Sequence, residues 1–81
     1  MRLDKFLKVS RIIKRRTIAN KACDAQRISV NGRPARASYE VKLGDILEIS
    51  LGGHQQKIEV TDVSEYTTKE GASSLYRVIV E

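Results

Sequence analysis

Apolar residues recur at helical spacing near the start of the chain and at a spacing of two from Arg27 onward. That change of period divides the sequence. Leu3, Phe6 and Leu7 share one side of a first helix with Ser10, and Asp4 sits in its first turn, where the helix dipole favours an acid. At 100° per residue Arg2, Lys5, Lys8 and Arg11 fall around the opposite face. Ile12 and Ile13 break the pattern and read as a plug that seats the following turn in the core. A second helix is expected from near Arg15 to about Ala25, burying Ile18, Ala19, Ala22 and Ala25 and turning Arg16, Thr17, Asn20, Lys21 and Asp24 outward. No glycine closes it, so Gln26 is expected to take a left-handed conformation at a cost of roughly 1 kcal/mol.

Ile28 and Val30 then alternate up to Asn31-Gly32, a strong signal for a two-residue hairpin turn. Pro34 confines the returning strand to an edge or a very short piece. Leu43-Gly44-Asp45 reads as a turn into a strand from Ile46 to Leu51. Gly52-Gly53 makes a further turn into a strand from Lys57 to Val63. The polar stretch Thr67–Ser74 has room for one helical turn before a closing strand from Leu75 to Val80. The expected fold class is α+β: two N-terminal helices packed on a small, mostly antiparallel sheet of about four to five strands.

Length and composition narrow what such a fold can do. Eighty-one residues make one domain, 1–81, and leave little room for an enclosed substrate cavity. One cysteine excludes a disulfide framework within the chain and fits a reducing compartment. The apolar runs are too short to span a bilayer, and the first helix lacks the apolar core of a signal peptide, so a cytoplasmic location is expected.

Charge changes the picture more. The net +5 is the sum of two unlike halves. Residues 1–42 hold twelve Lys/Arg against three acids, a balance of +9, whereas residues 43–81 hold three against seven, a balance of −4. Such segregation implies one basic face and a polyanionic partner, nucleic acid ahead of an anionic membrane or an acidic protein. The sharpest feature is Lys14-Arg15-Arg16-Thr17, where three cations meet the expected start of the second helix and its unpaired N–H groups, a natural seat for phosphate. Arg33 and Arg36, beside the Asn31-Gly32 turn, extend the basic face or stand as ordinary edge residues. Tyr39, Tyr66 and Tyr76 are of a type that stacks on unpaired bases; Tyr76 reads as core, and Tyr39 lies nearest the basic half. With so few aromatics, phosphate and shape contacts should outweigh base stacking.

Enzymatic readings find no support in the pattern. His54 is the only histidine and has no partner at metal-ligand spacing. Cys23 reads as a small, partly buried residue on a helix flank, and the carboxylates are spread over exposed strand positions and turns. No catalytic residue, metal or cofactor is expected. A duplex-DNA-binding helix–turn–helix competes for the two basic helices, but beyond its first turn the second helix offers only Asn20 and Lys21 to read bases. An adaptor that docks proteins through the acidic half is a third reading.

The segments Arg2-Leu3-Asp4-Lys5-Phe6-Leu7, Lys14-Arg15-Arg16-Thr17-Ile18-Ala19, Arg27-Ile28-Ser29-Val30-Asn31-Gly32 and Val41-Lys42-Leu43-Gly44-Asp45 resemble, in order and spacing, the RNA-binding domain named after small-subunit ribosomal protein S-four. The likeness covers about residues 1–51, with 52–81 as additional strands that complete the sheet. It implies an αL-type fold that grips structured RNA with its helical face. The chain as a whole looks most like the stand-alone P-site factors of bacterial ribosome-associated quality control. A related heat-shock family that binds large subunits carrying nascent chains has a basic C-terminal extension, where this chain has an acidic half. The resemblance implies large-subunit rRNA, P-site tRNA, the large ribosomal subunit with its nascent chain and a NEMF-type alanine-tailing factor as partners, with a protein that is a monomer in solution. Charge pattern and resemblance together lead to primary RNA contacts expected at Arg2, Lys5, Lys8, Arg11, Lys14, Arg15 and Arg16, and secondary ones at Thr17, Asn20, Lys21, Arg33 and Arg36. Asp4 is expected to start the helix and orient nearby arginines.

Overall fold

The computed structural model describes residues 1–63 and 75–79. Helix α1 (Leu3–Val9) begins against the loop that later carries Ala37 to Val41. The N–H groups of Leu3 and Asp4 donate to the carbonyls of Tyr39 (2.8 Å) and Ala37 (3.2 Å), and Val41 N–H donates to Met1 (2.9 Å). Donors that a helix start normally leaves unpaired are thus satisfied by backbone from a distant part of the chain, Ala37 and Tyr39. Leu3, Phe6 and Leu7 are fully buried, as their spacing predicts.

The helix ends sooner than the basic stripe suggests. Arg11 lies beyond α1 in the left-handed region, with φ at 63°, so it belongs to the turn and not to the helical face with Lys8. Ile13 N–H returns to the Leu7 carbonyl (3.0 Å), and its side chain is buried, as expected of a plug.

Helix α2 (Arg16–Asp24) packs across α1 through Ala19, Ala22 and Cys23. The expected buried side needs correction here. Ile18 and Ala25 are exposed, and Cys23 is fully buried, not on a flank. The two helices meet along small residues, which centres the buried arc between Ala19 and Cys23 and rotates Ile18 out of it. The helix closes as a Schellman motif: Gln26 N–H bonds to the Cys23 carbonyl and Arg27 N–H to that of Ala22, both at 3.0 Å. Gln26 takes the left-handed position with φ at 60°, as the missing glycine requires.

Five strands follow: β1 (Ile28–Val30), β2 (Arg33–Pro34), β3 (Ile46–Leu51), β4 (His54–Val60) and β5 (Tyr76–Val78). They form one sheet in the order β2-β1-β3-β4-β5, every pair antiparallel. Asn31 and Gly32, at φ 53° and 86°, make the two-residue hairpin turn between β1 and β2. Pro34 holds β2 to two residues on the sheet edge. Strand β4 starts three residues before the expected Lys57 and stops three before Val63, because the Gly52-Gly53 turn pairs Leu51 directly with His54. The expected helical turn in Thr67–Ser74 and Tyr66 lie outside the described residues. Tyr76 is partly buried against the core.

The registers align Ile28 with Ile49, Val30 with Leu47 and Leu47 with Ile58 on the face that meets the helices. The other face carries Ser29, Glu48 and Lys57 in one row and Glu59 with Arg77 in another. Lys57 lies 3.8 Å from Glu48, and Arg77 pairs with Glu59.

The left-handed cap gives a stability test. Gln26→Gly should stabilise the protein by about 1 kcal/mol, since glycine alone adopts this conformation without a steric penalty. That is a rise in Tm of roughly 4–8 °C for a domain of this size. Thermal unfolding followed by circular dichroism measures it.

Candidate nucleic-acid interface

One carboxylate organises the interface. Asp4 is 2% exposed, yet four groups from two helices converge on it. Arg2 approaches through Nε at 3.2 Å and Nη2 at 3.4 Å, and Lys5 N–H donates at 2.8 Å. Arg16 lies with Nε 3.3 Å from Oδ2, and Asn20 Nδ2 donates at 3.3 Å. Burial by itself would raise the Asp4 pKa. The hydrogen bonds from Asn20, Arg16 and the Lys5 backbone, with the Arg16 charge, outweigh it and hold the carboxyl below its ordinary value.

This arrangement does two things. It fixes two guanidinium groups whose side chains are still 48% (Arg2) and 46% (Arg16) exposed, so each keeps free N–H donors directed to solvent. It also leaves a surplus, because two arginines share one negative charge. A shallow groove of about 370 Å³ opens beside them, lined by Asp4, Arg16, Thr17, Asn20 and Lys21. Pre-positioned guanidinium groups at such a groove suit a phosphate, which Arg can grip through two parallel bonds.

The remaining expected contacts of the basic half lie on α1, on α2 and in the turn between them. Lys8, Arg11, Lys14, Arg15 and Lys21 are exposed and enter no ion pair among the described residues. Lys5 is half-buried and already has a partner. Thr17 is exposed, whereas Asn20 is half-buried and committed to Asp4 through its amide. No side chain caps α2 at Arg15, and its first turn carries no acid. The positive end of the helix dipole therefore adds to the cations.

Arg33 and Arg36 stand apart from the Asp4 centre. They border a depression of about 680 Å³ with Val30, Asn31, Pro34, Ala35 and Tyr39. Its shape depends on a second buried acid, Asp45, which the sequence pattern had placed only in a turn. Asp45 accepts from Tyr39 Oη (2.8 Å), Asn31 Nδ2 (3.1 Å) and Lys42 N–H (2.9 Å), and Asn31 Oδ1 accepts from Ile46 N–H (2.9 Å). The hydroxyl of Tyr39 is thus tied into the fold, and its segment also caps α1. Asp4 and Asp45 correct the expectation that the acids are spread over exposed positions. What separates them from the exposed acids in the sequence is that both fall in the segments that carry the family resemblance, and that Asp4 stands in a first helical turn.

Burial, then the charges of Asp4 and Asp24, push the Cys23 thiol up to about 11, so it is protonated at neutral pH. Among the described residues no three His, Cys, Asp or Glu side chains gather to hold a metal.

The depressed Asp4 pKa fixes a pH dependence. Its contribution to stability is fully present above the unfolded carboxylate value of about 4 and is lost as pH falls through the lower folded value. Asp4→Asn should therefore flatten the acid limb of stability against pH and cost about 1–3 kcal/mol at neutral pH. Some acid sensitivity should persist, because the N-terminal ammonium holds Glu40 low as well. Urea unfolding between pH 2 and pH 7, an illustrative range of about five units around the carboxylate values, measures both effects.

Comparison with known proteins follows this geometry. The S4 domain family matches residues 1–47, the span that carries α1, α2, the hairpin and Asp45. The RQC P-site tRNA stabilizing factor of Halalkalibacterium halodurans is 55% identical over 78 residues, covering 96% of this chain and 89% of the relative. That of Bacillus subtilis is 48% identical over 81 residues, covering 100% and 94%. Among solved structures, the trimeric Heat Shock Protein 15 of Vibrio cholerae superposes with a TM-score of 0.90 at 28% identity, covering 98% of this chain and 81% of the other. The chain belongs to the S4 domain family and, within it, to the RQC P-site tRNA stabilizing factors.

Proposed function

We propose that this protein is a non-enzymatic RNA clamp that stabilises P-site tRNA on large ribosomal subunits stalled with a nascent chain. The observation that carries this reading is an Asp4-ordered arginine pair on a helical layer whose Lys8, Arg11, Lys14, Arg15 and Lys21 enter no ion pair among the described residues, in a chain similar over its full length to factors of that name. Arg2 and Arg16 hold phosphates where rRNA and tRNA approach one another. Lys5, Lys8 and Arg11 line the α1 side, and Lys14 and Arg15 bridge to α2. Thr17 and Lys21 extend the contact along α2, with Asn20 setting the groove floor, and Arg33 and Arg36 supply a second, hairpin-side contact. The protein acts in the cytoplasm as a single chain. By retaining tRNA between elongation cycles it supports C-terminal alanine tailing by a NEMF-type partner, with no bond made or broken by its own residues.

The superposition on Heat Shock Protein 15 favours a second reading, a large-subunit factor that acts on nascent chains without alanine tailing. Cells lacking the protein separate the two, because the first reading requires loss of alanine tails on stalled chains and the second does not.

Two measurements test the clamp. With about five phosphates neutralised, log affinity for a hairpin RNA should fall with log salt at a slope of roughly −3.5 to −4.5. A salt-independent affinity, or equal binding of duplex DNA in competition, contradicts it. Arg16→Glu should remove the protein from the large-subunit fraction on sedimentation. It places a second carboxylate beside Asp4, so its fold is checked by thermal unfolding, and Arg16→Gln provides a charge-neutral control that should weaken binding in the same direction.

A further inference from the structure

Ile18 is the one large apolar side chain of the helical layer that the fold leaves half in water, at 50% exposure. On α2 the residues Ala19, Ala22 and Cys23 face the core, and Arg16 and Asn20 lean toward α1 through Asp4. Ile18 lies on the flank away from that centre. Lys14 and Arg15, the extended N-cap, precede the helix, and Lys21 lies one turn after Ile18; all three are exposed and outside any ion pair among the described residues. A β-branched residue gains nothing from helix propensity at an exposed position, and half its surface obtains no burial from the fold. Folding therefore accounts for only part of its presence.

The cations select what can cover it. From Arg15 to Lys21 the helix advances about 9 Å, so Ile18 sits midway between two sources of positive charge. A polyanion drawn to both ends must lay its uncharged surface over the middle. In RNA that surface is the ribose and the edge or face of an unpaired base. Resting on the RNA-binding reading above, we infer that Ile18 seats a nucleotide of the bound RNA, packing on its ribose and base between phosphates held by Lys14 or Arg15 and by Lys21. This contact is insensitive to salt, unlike its neighbours. It gives the clamp a preference for unpaired over fully paired strands, because a ribose and base must be free to settle on the side chain.

The test separates the apolar contact from the charges around it. Binding of a fluorescent RNA hairpin with an unpaired loop is measured across a salt series, at a temperature where every variant is folded. Ile18→Gln should weaken binding about tenfold at every salt concentration and leave the slope unchanged, whereas Arg15→Gln should make the slope shallower by roughly 0.7–0.9. Ile18→Leu should bind as the unaltered protein does. Ile18→Lys is the sharpest variant: a purely electrostatic surface binds more tightly with the added cation, while a seated nucleotide binds more weakly at high salt. Ile18→Gln within twofold of the unaltered protein, or tighter binding by Ile18→Lys throughout, overturns the inference and leaves the clamp intact. Failure of the unaltered protein to bind RNA in a salt-dependent way overturns the clamp itself.

Discussion

The buried carboxylate of Asp4 is the interaction on which the rest of the surface depends. A charge at 2% exposure is tolerated only with full hydrogen bonding, and here the required donors come from Arg2, Lys5, Arg16 and Asn20. The need of one acid for partners therefore joins α1 to α2 and orients two guanidinium groups at once. An arginine at an exposed position would otherwise sample many rotamers and lose that freedom on binding phosphate. Tethering each through part of its donor set lowers the entropy lost on association while leaving other N–H groups free.

Charge compensation explains why the basic half stays basic. In the second half of the chain Glu48 finds Lys57 and Glu59 finds Arg77, on the sheet face away from the helices. In the first half Glu40 is taken by the N-terminal ammonium at 2.7 Å, and Asp4 is shared between two arginines. These four acids are thus consumed locally, each beside its own partner. Lys8, Arg11, Lys14, Arg15 and Lys21 enter no ion pair among the described residues, and counterion release on RNA binding requires such cations.

Much of this was legible in the chain, for identifiable reasons. Period and turn chemistry located both helices, the Asn31-Gly32 hairpin and the edge position of Pro34, because each depends on local backbone sterics. The Asp4 role followed from its place in a first helical turn beside Arg2, and its likeness to a known segment. Tertiary packing decided the rest. Ile18 reads as core from its spacing, but α1 meets α2 along Ala19 and Cys23, and the exposed flank falls to Ile18. Arg11 falls on the basic stripe only if α1 continues, and burial of Ile13 instead draws the chain into a left-handed turn. Asp45 and Tyr39 meet across a loop whose path no local pattern encodes.

The two buried acids together show how so small a domain holds an extended surface in one shape. Asp4 fixes the helical layer, and Asp45 fixes the hairpin and the segment from Tyr39 to Lys42. The carbonyls of Tyr39 and of Ala37 just before it accept from the Leu3 and Asp4 N–H groups at the start of α1, so the two centres are mechanically continuous. A domain of this length has too little core to hold loops rigid by apolar burial alone. Buried, fully satisfied carboxylates supply the missing constraint, since any loop movement would strand a charge in a dry site. Rigidity obtained in this way falls on the start of α1, the Asp4-ordered arginines and the hairpin.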